Sequence, residues 1–222
     1  MAVVFDIETI PQQNELEEWQ DKLLTARLTS EIKYQDLGIL IQNAPDSLIH
    51  KTMALNPFLG QIVCIGLYFT RTGKEVGIIG DEKDIIEEFW ERISDERQFI
   101  SFNGLDFDVP FIILRSVVLG IEPPHVGTNT HPFVSRARFR RKPHFDVAGW
   151  ASDWKNQYRL PLGSLCNALK VKSPKEGEIK AENVFQAYKD GRINEIRDYC
   201  LRDCKSTYDV AKIIINYVSN QL

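Results

Sequence analysis

The sequence predicts an α/β fold built on a mixed sheet, and three observations predict it. Short runs rich in β-branched and aromatic residues alternate with segments of helical spacing, the pattern of a sheet covered by helices. The first such run, AVVFDIE, is nearly continuous in apolar character, as a strand buried on both faces requires. The next two, QIVCIGLYFT and KEVGIIG, are joined by RTG and read as a hairpin, so the sheet cannot be purely parallel.

The elements follow in order. Pro11 closes the first strand region. NELEEWQDKLLTARL then carries Leu16, Trp19, Leu23, Leu24 and Leu28 at helical spacing. The remainder, to Pro57, is mixed and reads as helical in pieces. Residues 11–58 are thus expected to be a largely helical insertion between the first two strands of a single domain, 1–222. After the hairpin, DEKDIIEEFWERIS reads as a helix with acids in its first turn. RQFISFNG reads as a strand ending at a glycine, and VPFIILRSVVLG as an apolar helix stopping at Gly120. Residues 121–145 form a proline-containing loop with the basic stretch SRARFRRKPH. A short helix starts within Asp146–Trp154, LGSLCNALKV has helical spacing, and SPKEGEIK is a loop. From Asn183 the pattern is helix, a break at Gly191, then helix to the end.

The 222 residues are 43% hydrophobic and 26% charged, enough for a full core without a disulfide or a structural metal. The net charge of -4 argues against a surface that is basic overall. Affinity for phosphates must come from local basic patches or from bound cations. Cys64, Cys166, Cys200 and Cys204 include no C-x-x-C pair, which argues against a zinc ribbon or a thioredoxin-type site. They are expected to be free and buried, as suits a reducing compartment. The apolar stretch AVVF is too short for a signal-peptide core and no apolar run reaches membrane-spanning length, so a cytoplasmic location is expected.

Three segments carry the acids that matter. Asp6 and Glu8 are two apart in a strand and share a face, where two carboxylates repel unless something positive sits between them. Asp108 lies at the entry to an apolar helix, with Pro110 acceptable in its first turn. Asp106 is an equally good capping residue, and local chemistry does not choose between the two. Tyr199 and Asp203 are four apart in a helix and project from one side. A fourth feature is the alternation of Arg136, Arg138 and Arg140, with Phe133 and Phe139 interleaved. In an extended segment it would put three guanidiniums on one side, as a track for phosphates with aromatic stacking. His50, His125, His131 and His144 have no ligand spacing, and His144 is expected to be structural.

FDIET, FNGLDFDVPF and YCLRD resemble the three exonuclease motifs of the DEDD superfamily, tyrosine subtype. The chain resembles the stand-alone predicted 3′–5′ exonucleases related to the proofreading exonuclease domain of family B DNA polymerases. The first motif, D-x-E, matches Asp6 and Glu8. The second matches Asn103, Phe107 and Asp108, and so assigns the ligand role to Asp108 rather than Asp106. The third, Y-x-x-x-D, matches Tyr199 and Asp203. A histidine subtype would have histidine at the position of Asp198.

The resemblance implies a ribonuclease H-like fold, a five-stranded mixed sheet flanked by helices. It also implies two divalent ions, Mg2+ or Mn2+, about 3.5–4 Å apart. Asp6 would bridge them, with Glu8, Asp108 and Asp203 as further ligands. Tyr199 would orient the water or the scissile phosphate. Thr9, Asn103 and Phe107 join Arg136, Arg138 and Arg140 as expected substrate contacts. The implied substrate is the 3′ end of single-stranded nucleic acid, DNA before RNA, and the implied product a nucleoside 5′-monophosphate. The alternatives are a non-catalytic nucleic-acid-binding module on the same fold and an RNA-directed exonuclease.

Overall fold

The computed structural model describes residues 1–34, 41–126, 129–135, 137–173 and 178–219. Five strands form the main sheet in the order β3-β2-β1-β4-β7. β1 (Val3–Pro11) is central. It pairs antiparallel with β2 (Gly60–Phe69), which pairs antiparallel with β3 (Lys74–Ile79) across the turn that ends at Gly73, φ 71°. On its other side β1 runs parallel to β4 (Phe99–Ser101), and β4 parallel to β7 (His144–Asp146). The sheet is mixed and the architecture is α/β, as the sequence predicts. Its fifth strand lies in the segment read as a loop. β7 is only three residues long, too short to show a period of two, and it is held by β4 rather than by its own pattern.

The pleat of β1 sorts the layers. Val3, Phe5 and Ile7 pack with Phe89, Trp90 and Ile93 of α3 (Glu82–Ile93) and with Phe111 and Ile112 of α4 (Asp108–Leu119). Val4 and Ile10 lie on the other face, with Ile196, Cys200, Cys204 and Val210 of α8 (Ile193–Ser219). Asp6 and Glu8 fall in the even series and so face α8. A bulge between Glu8 and Thr9 lets both Val63 and Cys64 of β2 join the α8 side. α8 can lie close because Gly66 offers no side chain: a Cβ there would sit 2.9 Å from Cys200 Sγ and 3.0 Å from Cys204 Sγ.

Residues between β1 and β2 fold as α1 (Glu18–Tyr34), a 3-10 turn at Ile41–Asn43 and α2 (Asp46–Ala54). The 121–145 segment adds a two-stranded ribbon, β5 (His125–Val126) with β6 (Asn129–Thr130), and a 3-10 turn at Pro132–Val134. α5 (Val147–Ala151), α6 (Leu162–Leu169) and α7 (Val184–Lys189) complete the chain before α8. Residues 174–177 of the expected SPKEGEIK loop lie outside the described residues. No helix of the described residues is long and apolar enough to cross a membrane. All four cysteines are free and buried, as expected.

Candidate active site

β4 pairs with β1 only at Val3 and Val4. Beyond that point the β4-side edge of β1 has no strand neighbour, and the Ile7 amide needs another acceptor. Asp108, in the first turn of α4, supplies it: Ile7 N donates to Asp108 Oδ1 at 3.1 Å. The second motif is thereby locked to the first between Asp6 and Glu8. Asp108 is buried, at 3% exposure.

α8 brings the third motif. Cys200 and Cys204 face the sheet, which turns Tyr199 and Asp203 along the same side of the helix toward β1. The Tyr199 phenol and the Asp203 carboxylate lie close enough for each to shift the other's titration. Cys200 Sγ lies 3.3 Å from the Asp6 carbonyl and 3.5 Å from its carboxylate, as a donor to both. Five side chains from β1, α4 and α8 therefore share one pocket, in which Glu8 and Asp108 are buried and Asp6, Tyr199 and Asp203 partly buried.

Charge makes that pocket unusual. Burial, then the carboxylates of Asp203, Asp108 and Glu8, pushes Asp6 well above the ordinary range. Burial, then Asp203 and Asp108, does the same to Glu8. Burial raises Asp108 to about 7 against two backbone hydrogen bonds, with Asp146 and Asp203 adding to the rise. Burial raises Asp203 to about 6, opposed by Tyr199 and Arg202. Among the described residues no lysine or arginine forms an ion pair with these four acids. Burial and then Asp203, Glu8 and Asp6 push the Tyr199 phenol well above its usual value, so it is a neutral donor at pH 7.

The donor set fits hard divalent cations. Asp6, Glu8 and Cys200 offer ligand atoms within 4.8 Å of one another, with Asp108 and Asp203 close enough to raise the same carboxyls. Burial and hydrogen bonding keep the Cys200 thiol protonated, so the oxygens are the ligands available.

The expected substrate contacts scatter. Thr9 Oγ1 donates to the Ala54 carbonyl at 2.8 Å, tying α2 to β1. Asn103 has a φ of 66° and lends its side-chain oxygen to Arg159. Phe107 packs against Phe111, with ring centroids 5.5 Å apart, immediately before Asp108. Arg136 lies outside the described residues. Arg138 and Arg159 both pair with Asp106, which makes Asp106 a flanking acid with its own counter-ions. Arg140 is exposed. The extended basic track is corrected: the chain turns at Arg138–Phe139, and Phe133 is fully buried among Phe5, Phe89, Trp90 and Phe99, unavailable for stacking.

Asp146 is a positioning residue that the motif reading passed over. Its carboxylate accepts from the amides of Asn103 at 3.1 Å, Leu105 at 3.0 Å and Gly149 at 3.0 Å. It thus caps α5 and fixes the loop that aims Asp108. The neighbouring His-Phe-Asp stretch was the only signal. His144 is buried, with Nε2 2.7 Å from Ser101 Oγ, and burial lowers its pKa to about 3, so it is a neutral structural residue, as expected.

Residues 59–214 match the family described as "Predicted 3'-5' exonuclease related to the exonuclease domain of PolB". The chain is 25% identical over 146 residues to a DNA polymerase of Pyrococcus glycovorans, a match covering 62% of this chain and 19% of the polymerase. It is 29% identical over 156 residues to DNA polymerase 1 of Aeropyrum pernix, covering 67% of this chain and 15% of that protein. It spans less than a fifth of either. The fold is shared with the family B DNA polymerase from Pyrobaculum calidifontis, with a TM-score of 0.63 and 15% identity over 96% of this chain and 24% of that one. The chain has the ribonuclease H-like fold and belongs to the family of predicted 3′–5′ exonucleases related to the exonuclease domain of family B DNA polymerases.

Proposed function

We propose that the protein is a metal-dependent 3′–5′ exonuclease that removes nucleoside 5′-monophosphates from single-stranded nucleic acid, DNA before RNA. The observation that carries this reading is the cluster of four mutually repelling carboxylates, none of which forms an ion pair with a lysine or arginine among the described residues. Burying such a group is unfavourable unless a cation neutralises it.

Asp6, Glu8, Asp108 and Asp203 would hold two Mg2+ or Mn2+ ions. Bound there, the ions would supply Lewis-acid activation of water and neutralise charge on the scissile phosphate. The chain's own part is positioning. Asp108 is fixed by the Ile7 amide and by the loop that Asp146 holds. Tyr199, neutral and beside Asp203, orients the attacking water or the phosphate by donating rather than by taking a proton. Cys200 steadies Asp6 from behind.

The test is digestion of matched single- and double-stranded oligonucleotides, DNA and RNA, with magnesium, manganese or chelator. Stepwise shortening of single-stranded DNA from the 3′ end, stopped by chelator, is expected. Tight binding without shortening in any cation would favour a non-catalytic binding module instead.

A further inference from the structure

A groove of about 560 Å³ opens beside the N-terminus of α4. One wall is α4 itself, with Asp106, Phe107, Pro110, Phe111 and Leu114. The other comes from residues preceding the matched family region: Trp19, Leu23 and Arg27 of α1, with Leu55–Phe58 after α2. Phe107, on the α4 wall, is the residue immediately before Asp108.

Its surface is aromatic and open. Trp19 is 49% exposed and Phe58 37% exposed, and their rings meet edge to face at 6.5 Å. The wall is also fixed in place. Gln20 Nε2 donates to the Phe58 carbonyl at 2.8 Å, and Arg115 Nη1 to the Pro57 carbonyl at 3.0 Å. Arg115 is held in turn by its buried pair with Glu82, at 2.6 Å. Arg27 has no ion-pair partner among the described residues and lies on the groove's rim. Exposed aromatic rings, a guanidinium without an ion-pair partner among the described residues, and a wall residue next in sequence to Asp108 are what a single strand needs: faces for its bases and a cation for its backbone.

We propose that this groove seats the last bases of a single strand of DNA and delivers its 3′ end to the acidic pocket. Trp19, Phe58 and Phe107 give stacking surfaces and Arg27 pairs with a phosphate. The proposal rests on the exonuclease reading. It gives the segment outside the matched region a job: measuring the strand rather than cutting it.

The experiment measures binding of a short fluorescent oligothymidylate in calcium, together with kcat/KM in magnesium for that oligonucleotide and for the p-nitrophenyl ester of thymidine 5′-monophosphate. The variants are Trp19→Ala, Phe58→Ala and Arg27→Gln. Val117→Ala, an exposed apolar residue on the far part of α4, is the control. Each aromatic variant is expected to weaken oligonucleotide binding by about tenfold, within the range of one lost stacking contact. The ratio of oligonucleotide to small-ester kcat/KM should fall by a similar factor, and Arg27→Gln should flatten the salt dependence of binding.

Aromatic variants that bind the oligonucleotide as tightly as Val117→Ala would overturn the proposal. Tighter binding of the matching RNA would overturn the choice of DNA. The binding arm needs no turnover. Binding through Trp19 and Phe58 without shortening would therefore keep the groove and sink the nuclease reading. Shortening that ignores both rings would do the reverse.

Discussion

Asp106 and Asp108 are two residues apart and meet opposite fates. Asp106 turns to the flank, where Arg138 and Arg159 neutralise it. Asp108 turns inward, where its neighbours are other acids and its own hydrogen-bond donors are amides. The flank is electrostatically complete as folded; the pocket is not. An acid that brings its own arginine holds the fold together, whereas a group of acids without one creates a demand for a cation from outside.

The sharpest way to break this contrast is to neutralise each acid. Asp108→Asn or Asp6→Ala should cost more than about a hundredfold in kcat on labelled single-stranded DNA, since even outer partners of metal ligands are worth about 10–100-fold. Asp106→Asn should cost less than about tenfold, because it loosens two arginines and no ligand. Equal losses in initial-rate assays would erase the distinction.

Tyr199→Phe comes next. It removes the neutral donor beside Asp203 and should lower kcat by about ten- to a hundredfold with little change in KM. Because the phenol is held neutral, the slope of kcat against pH near neutrality should be the same in variant and wild type.

The pocket's charge should also be visible in stability. Folded Asp108 and Asp203 titrate at about 7 and about 6. In the unfolded chain both should titrate near ~4. The folded state therefore binds more protons in that window. The pocket's contribution to stability is present in acid and is lost as pH rises through the two folded values. Metal-free protein should gain Tm when Asp203 becomes Asn at about pH 8, by about 2–4 °C per kcal/mol of relieved repulsion. Added Mn2+ should stabilise wild type more than the variant. A variant that melts lower than wild type in chelator would show that the acids are not in conflict.

The smallest effect concerns placement. Gly66→Ala would push on Cys200 and Cys204 and lift α8 from the sheet. It should destabilise by about 1–3 kcal/mol in a denaturant melt while lowering kcat. Unchanged kcat at reduced stability would mean that the reach of Tyr199 and Asp203 tolerates the shift.

How much of this was legible depends on where the information sits. β1, the hairpin, α3, α4 and α8 were readable because each carries a full period of its own pattern. β7 was not, since its three residues follow a basic, proline-containing stretch with no apolar run to mark a strand, and neither was Asp146, whose partners are backbone amides that sequence does not display. The acids of the pocket were legible only jointly, through the resemblance; local chemistry left Asp106 and Asp108 equal until the fold separated them. The basic loop misled because alternation implies one face only in an extended chain, and this chain turns at Arg138–Phe139. Phe133 looked like part of that face yet is core, since a large ring is buried wherever the fold offers space.

α8 has one more consequence. The turn bearing Tyr199 and Asp203 also buries Cys200 and Cys204 against the central strands. Its amides should exchange with solvent only when the whole molecule opens, slower than those of α1. Catalytic competence and global unfolding would then share a single cooperative unit, and partial melting could blunt strand capture long before it touched the chemistry.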